Sequence, residues 1–126
     1  MNLKIETESP GRGVTKIALT GRLDSNTTPQ LDDVLSGILG GDSLGVVYDL
    51  SNLEYISSAG LRAIFRTKRE MEKVGGTAVV LKPQPQVQKV FDIVKALPTQ
   101  SVFTSWEEVD EYLDKMQKRV LEGDDD

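Results

Sequence analysis

Val46-Val47-Tyr48-Asp49-Leu50-Ser51-Asn52-Leu53-Glu54-Tyr55-Ile56-Ser57-Ser58-Ala59-Gly60-Leu61-Arg62-Ala63-Ile64-Phe65 is the stretch on which the fold of this chain turns. Val46, Val47 and Tyr48 are β-branched or aromatic, the residue types of a strand. The nearly continuous apolar run from Leu44 to Leu50 predicts an interior strand buried on both faces, in a parallel or mixed sheet. Asp49, Ser51 and Asn52 compete for nearby backbone groups, so Ser51–Ser58 reads as a loop after that strand. A helix then runs from Ser58 to about Val74. With about 100° between successive residues, Gly60, Leu61, Ile64, Phe65, Met71 and Val74 share its buried side. Lys68 falls in the same arc, where its stem can pack while its amine reaches solvent. Arg62, Arg66, Arg69 and Lys73 line up opposite as a basic stripe. This stripe reads either as a solvated face with Arg66–Glu70 and Lys68–Glu72 pairs or as a surface for an acidic partner. A serine at the helix mouth has two readings as well: an N-cap, or a hydroxyl at the positive helix end, where phosphate is well tolerated.

Outward from this stretch, strands and helices alternate. Leu3-Lys4-Ile5-Glu6-Thr7 alternates apolar and polar, and Val14–Leu19 is its expected hairpin partner across the turn Pro10-Gly11-Arg12-Gly13. Gly21-Arg22-Leu23-Asp24 reads as a loop. A helix begins near Thr27-Thr28-Pro29, with Thr28 the better cap because Pro29 suits the first helical position; Leu31, Val34, Leu35, Ile38 and Leu39 form its apolar face. Gly40-Gly41 and Gly75-Gly76 are helix stops. Thr77–Leu81 reads as a further buried strand. A helix with Val87, Val90, Phe91 and Val94 on its core side ends at Pro98. Val102-Phe103 makes a short strand at most. Ser105 and Glu108 form a capping box, and Trp106, Val109, Leu113, Met116 and Val120 stripe the last helix, more as core cover than as a coiled-coil seam. The order β-β-α-β-α-β-α-β-α predicts an α/β single domain, a mixed central β-sheet with helices packed mainly on one face. The turn after a central strand is where such a sheet places its site.

Asp49-Leu50-Ser51 followed by Tyr55-Ile56-Ser57-Ser58-Ala59-Gly60-Leu61 resembles the signature of the STAS domain, as in anti-sigma factor antagonists. The family form is aspartate, serine, serine or alanine, glycine, leucine, with the serine after the aspartate as the phosphorylation site. Aligned on Gly60 and Leu61, that serine is Ser58, and Ser57 stands where the aspartate is common; Ser57 is the runner-up acceptor. The resemblance covers roughly Leu3 to Tyr112 and implies a STAS domain over residues 1–122, with 123–126 an acidic C-terminal tail. It also implies a phosphorylation-controlled protein-interaction switch. The partner would be an anti-sigma factor with a histidine-kinase-like fold that acts as a serine kinase; a PP2C-type phosphatase would reverse the modification. Asp24, Ser57, Ser58, Ala59, Gly60, Arg62, Arg66 and Arg69 would then form the partner surface, although Asp24 also reads as a turn carboxylate before the first helix. Two other roles occur among STAS domains: a scaffold subunit on an ABC transporter ATPase, and a nucleotide or small-molecule sensor.

Composition narrows the chemistry. The net charge is −5, which opposes nucleic-acid binding, since phosphate contacts need a basic surface. His and Cys are both absent, so the commonest general base, thiol chemistry and the usual zinc ligands are missing. No Gly-rich phosphate loop occurs. These features predict a protein that is not an enzyme and carries no metal and no cofactor; any ATP or metal would belong to its partners. No apolar run is long enough to span a bilayer, and no signal peptide is visible, so a cytoplasmic protein without membrane insertion is expected.

Overall fold

The computed structural model describes residues 3–11, 13–96 and 106–123, apart from the side chains of residues 95, 96 and 106–109. The elements are β1 (Leu3–Gly11), β2 (Val14–Leu23), α1 (Thr28–Ile38), β3 (Gly45–Ile56), α2 (Ser58–Lys73), β4 (Thr77–Leu81), α3 (Pro85–Ala96) and α4 (Trp106–Leu121). Among the described residues one four-stranded sheet forms, in the order β1-β2-β3-β4. β1 pairs antiparallel with β2, whereas β2–β3 and β3–β4 are parallel. The expected single α/β domain with a mixed sheet is observed. The strand expected at Val102-Phe103 and the Ser105–Glu108 capping box fall outside the described residues.

β3 departs from its expected course in two respects. It does not end near Leu50: it continues to Ile56, pairing Asn52 with Thr20, Leu53 with Gly21, Tyr55 with Arg22 and Ile56 with Leu23. β2 likewise extends through Gly21 and Arg22 to Leu23, in place of the expected loop. The turn-forming chemistry produces irregularities in the ladder instead, and the register shifts opposite Ala18–Thr20 and Gly21–Arg22. Asp49 Oδ1 accepts from the Ser51 backbone N–H at 3.0 Å and its hydroxyl at 2.7 Å. These two bonds, with Lys16 adding a smaller charge effect, hold the Asp49 carboxyl below its ordinary pKa. The second departure concerns burial. Val46, Tyr48 and Leu50 are fully buried, while Val47, Asp49 and Ser51 on the other face are only half-buried.

The helices gather on the face bearing Val46, Tyr48 and Leu50, where Ile17, Leu19, Leu61, Ile64, Val87 and Val90 complete the core. The opposite face carries the Lys16–Asp49 ion pair. β4 is therefore not a buried strand: Val79 is 49 % and Leu81 40 % exposed. In α2, Gly60, Leu61, Ile64 and Met71 are buried as expected, but Phe65 and Val74 are not. Phe65 lies at the rim, meeting Phe91 edge-to-face at 6.2 Å between ring centroids. Lys68 is exposed, in keeping with a packed stem and solvated amine. Helix α2 stops as expected: the Gly76 N–H donates to Met71 O and that of Gly75, at φ +79°, to Glu72 O.

Tyr48 anchors α2 to the sheet. Thr67 Oγ1 donates to Ala63 O at 2.8 Å, so the Tyr48 hydroxyl, 2.7 Å away, must be the donor to Thr67. Burial pushes the Tyr48 phenol up to about 12. An unfolded tyrosine ionises near 10, so the unfolded state loses its proton first as pH rises. The stabilisation by neutral Tyr48 is complete below about pH 10 and is lost toward pH 12, a loss of about 2–3 kcal/mol at 1.36 kcal/mol per unit. In urea titrations, wild type should lose stability across that window, and Tyr48→Phe should lose markedly less; parallel curves would contradict this assignment.

Candidate functional site

The end of β3 delivers Ser57 and Ser58 to the mouth of α2, and the two serines take different places there. Ser57 is extended (φ −100°, ψ 176°) and is the N-cap, its Oγ accepting from the Gly60 N–H at 3.4 Å. Serine and aspartate are both good N-caps, so a serine at this position keeps the capping function without a charge. Ser58 is the first helical residue. It is 2 % exposed, and its Oγ is buried with no hydrogen-bond partner. The Ser58 backbone N–H donates to Asp110 Oδ1 of α4 at 2.9 Å. Ser57 thus takes the capping role, and the Ser58 hydroxyl has no part in it.

β2 supplies the wall. The Ser57 N–H donates to Leu23 O at 2.9 Å. A Cβ on Gly60 would lie 2.7 Å from Leu23 Cγ and 3.0 Å from Ile56 Cγ1, so only glycine lets α2 approach β2 this closely. Asp24, just after β2, is an Asx-turn carboxylate: its Oδ1 accepts from the Asn26 N–H at 2.9 Å and the Thr27 N–H at 3.1 Å. Its backbone carbonyl accepts from the Thr28 hydroxyl at 2.6 Å. The N-cap of α1 is Thr27, not Thr28, and its side chain makes no capping bond; its hydroxyl instead accepts from the Asp24 N–H. Arg22 Nε sits 3.8 Å from Asp24 Oδ2, and its guanidinium stacks 3.9 Å above the Tyr55 ring. Burial foremost, then the Asp114 carboxylate, raises the Tyr55 pKa, with Asp110 and Asp24 adding to the same effect. Three carboxylates thus lie within electrostatic reach of Tyr55.

Ala59, Arg62, Arg66 and Arg69 line one open groove of about 520 Å³ with Thr28, Asp32 and Phe65, between α1 and α2. Arg66 does not pair with Glu70. Its Nη2 reaches across the groove to Asp32 Oδ1 at 3.1 Å, and Glu70 pairs with Lys73 at 2.8 Å instead. Arg62 Nε donates to Ser58 O at 3.4 Å, tying the stripe to the helix mouth. Ser57, Ser58 and Gly60 are buried and do not line this groove, whereas Asp24 bonds to Thr28, which does. Asp110 and Gln117 are the residues that sequence reasoning misses. Gln117 Oε1 accepts from the Ile56 N–H at 3.0 Å while its Nε2 donates to Ile56 O at 2.9 Å. The apolar stripe of α4 points to this face, since Leu113 and Met116 are buried beside Gln117.

A strand, a serine-capped helix mouth and a mixed sheet covered on one face define an α/β domain with its distinctive surface at one end of α2. The STAS domain model matches residues 5–109, and the chain belongs to the STAS domain family. It is 35% identical over 81 residues to BtrV of Bordetella bronchiseptica, a candidate anti-sigma factor antagonist, covering 64% of this chain and 70% of BtrV. It is 29% identical over 90 residues to an anti-sigma F factor antagonist of Lysinibacillus sphaericus, covering 71% of this chain and 77% of that one. Its fold is similar to unphosphorylated SpoIIAA, an anti-sigma factor antagonist (TM-score 0.68, 26% identity, 86% of this chain and 96% of that one). It is also similar to phosphorylated SpoIIAA of Bacillus, with a TM-score of 0.64, 25% identity, and coverage of 86% and 99%. Among the described residues no helix is long and apolar enough to cross a membrane.

Proposed function

We propose that this chain is an anti-sigma factor antagonist whose binding is switched by phosphate on Ser58. The observation that carries the reading is the pair at the mouth of α2: Ser57 caps the helix, while the Ser58 hydroxyl beside it has no partner. A hydroxyl free of structural duty can be modified without undoing the cap. The groove of Ala59, Arg62, Arg66 and Arg69 adjoins it, a surface suited to an acidic partner. That partner is a serine-kinase anti-sigma factor, with a PP2C-type phosphatase acting in reverse; ATP and metal reside on them. In the transfer, Ser58 Oγ bonds to the γ-phosphorus of ATP, the bond to the β,γ-bridging oxygen breaks, and the hydroxyl proton passes to a base of the kinase.

Incubation with the cognate kinase and ATP, followed by peptide mass spectrometry, tests this. One phosphate on Ser58 is expected, lost in Ser58→Ala and retained in Ser57→Ala. Phosphate on Ser57 alone would shift the role by one residue. No phosphate on either, with capture of a transporter ATPase, would replace the switch by a scaffold.

A further inference from the structure

We propose that α4 is a latch over the phosphorylation site: Asp110 occupies the helix mouth that a phosphate on Ser58 needs, so α4 must move off before Ser58 is modified. The proposal rests on Ser58 as the acceptor and adds what regulates it.

Three observations converge. Ser58 Oγ is buried and unpartnered, so in this arrangement no kinase can reach it. Among the described residues, the element bonded to Ser58 from outside its own strand and helix is α4, through Asp110 Oδ1 on the Ser58 N–H. Two turns further along α4, the buried Gln117 grips both the N–H and the C=O of Ile56, the residue before the serine pair. Asp110, Leu113 and Gln117 recur at helical spacing, so one face of one helix spans the whole site.

The N–H groups at a helix start favour an anion, and here a carboxylate from α4 already takes one of them. A phosphate at Ser58 brings about −1.5 to −2 charges to the same place. Like charges sharing one helix mouth disfavour each other, and Arg62, whose Nε donates to Ser58 O at 3.4 Å, is a cation there for either anion. Docked α4 and phosphorylated Ser58 therefore exclude one another. Whatever lifts α4 thus opens Ser58 to the kinase, and phosphate on Ser58 in turn disfavours the docked helix.

The chain contains no cysteine, so Ser58→Cys installs a single thiol, and a thiol tolerates the unpartnered site well. Its reaction with DTNB should be slow in the folded chain and at least tenfold faster when combined with Asp110→Ala. Equal rates, or a thiol that reacts at once in the folded chain, would overturn the latch. The second measurement needs neither cysteine nor kinase. Phosphoserine placed at position 58 by amber suppression should lower the exchange protection of the Ile56 amide, the one held by Gln117, at least tenfold. With Asp110→Asn the phosphoserine chain should keep most of that protection, because the carboxylate charge is gone. Unchanged Ile56 protection in the phosphoserine chain would sink the proposal. A kinase assay that leaves Ser58 unmodified even with Asp110→Ala, which frees the helix mouth, would instead refute the acceptor assignment, which the thiol and exchange rates do not depend on.

Discussion

Replacing Ser58 with Glu should weaken binding to the proposed anti-sigma factor partner about a hundredfold or more while the domain stays folded. The two halves of this result have different causes. A carboxylate at the start of α2 meets the positive end of the helix, worth roughly 0.3–1 kcal/mol. With α4 lifted from the mouth it reaches water and is not held buried and unpaired. At the end of a protein–protein contact surface the same charge loses its water without a partner, and a penalty of about 3 kcal/mol corresponds to more than a hundredfold in Kd. Ser58→Ala should bind as wild type and melt no lower, because it removes a buried hydroxyl that forms no bond. Isothermal titration with thermal melts of each variant measures both quantities. A Glu variant that binds within threefold of wild type would refute the switch, whatever its melting temperature.

Among the glycine substitutions Gly76→Ala should destabilise most, by about 3 kcal/mol, the upper end of the usual range for overpacking. A Cβ there would run into the backbone carbonyl of Leu44, which cannot rotate aside as a side-chain terminus can. That carbonyl also accepts the Thr77 N–H at 3.0 Å, so shifting it weakens the start of β4. For a chain of this size the fall in Tm is roughly 10–15 °C. Gly37 of α1 is the opposite case, because a Cβ added there would meet nothing within 4 Å. Alanine at that position should raise stability by about 0.5–1 kcal/mol through helix propensity. Scanning calorimetry of the two variants checks the contrast; a Gly76→Ala chain that melts with wild type would show that the Leu44 strand end yields freely.

What can be read from the chain divides along the range of the interactions. Ser57, Ser58 and Gly60 are neighbours in sequence, and cap chemistry plus a small-residue run locates the helix mouth. The Gly75-Gly76 stop is equally local. Val46-Val47-Tyr48 misleads on burial because an open sheet face tolerates half-buried valine, and apolar residues on a surface are common. Asp49 and Ser51 look like the end of β3, but their bonds to each other serve an irregular continuation held by β2. Arg66 takes Asp32 over Glu70 because α1 lies across the groove, and no helical spacing could show that. Asp110 reaches Ser58 from 52 positions away and Gln117 reaches Ile56 from 61. Neither residue type carries a motif, so only the packed structure reveals them.

That distance in the chain bears on how the protein is made. Ribosomes build a polypeptide amino end first, at about 5–20 residues per second, and a domain completes its packing only once all its elements are out. The strand and helix that carry the serines are complete well before α4 has been synthesised. For that interval the helix mouth lacks Asp110, Ile56 lacks Gln117, and the Ser58 hydroxyl is as open as it will ever be. On the latch proposed above, a nascent chain is most open to modification until α4 settles over the helix mouth. The age of a molecule, as well as the activity of a kinase, would then set how readily it is switched off.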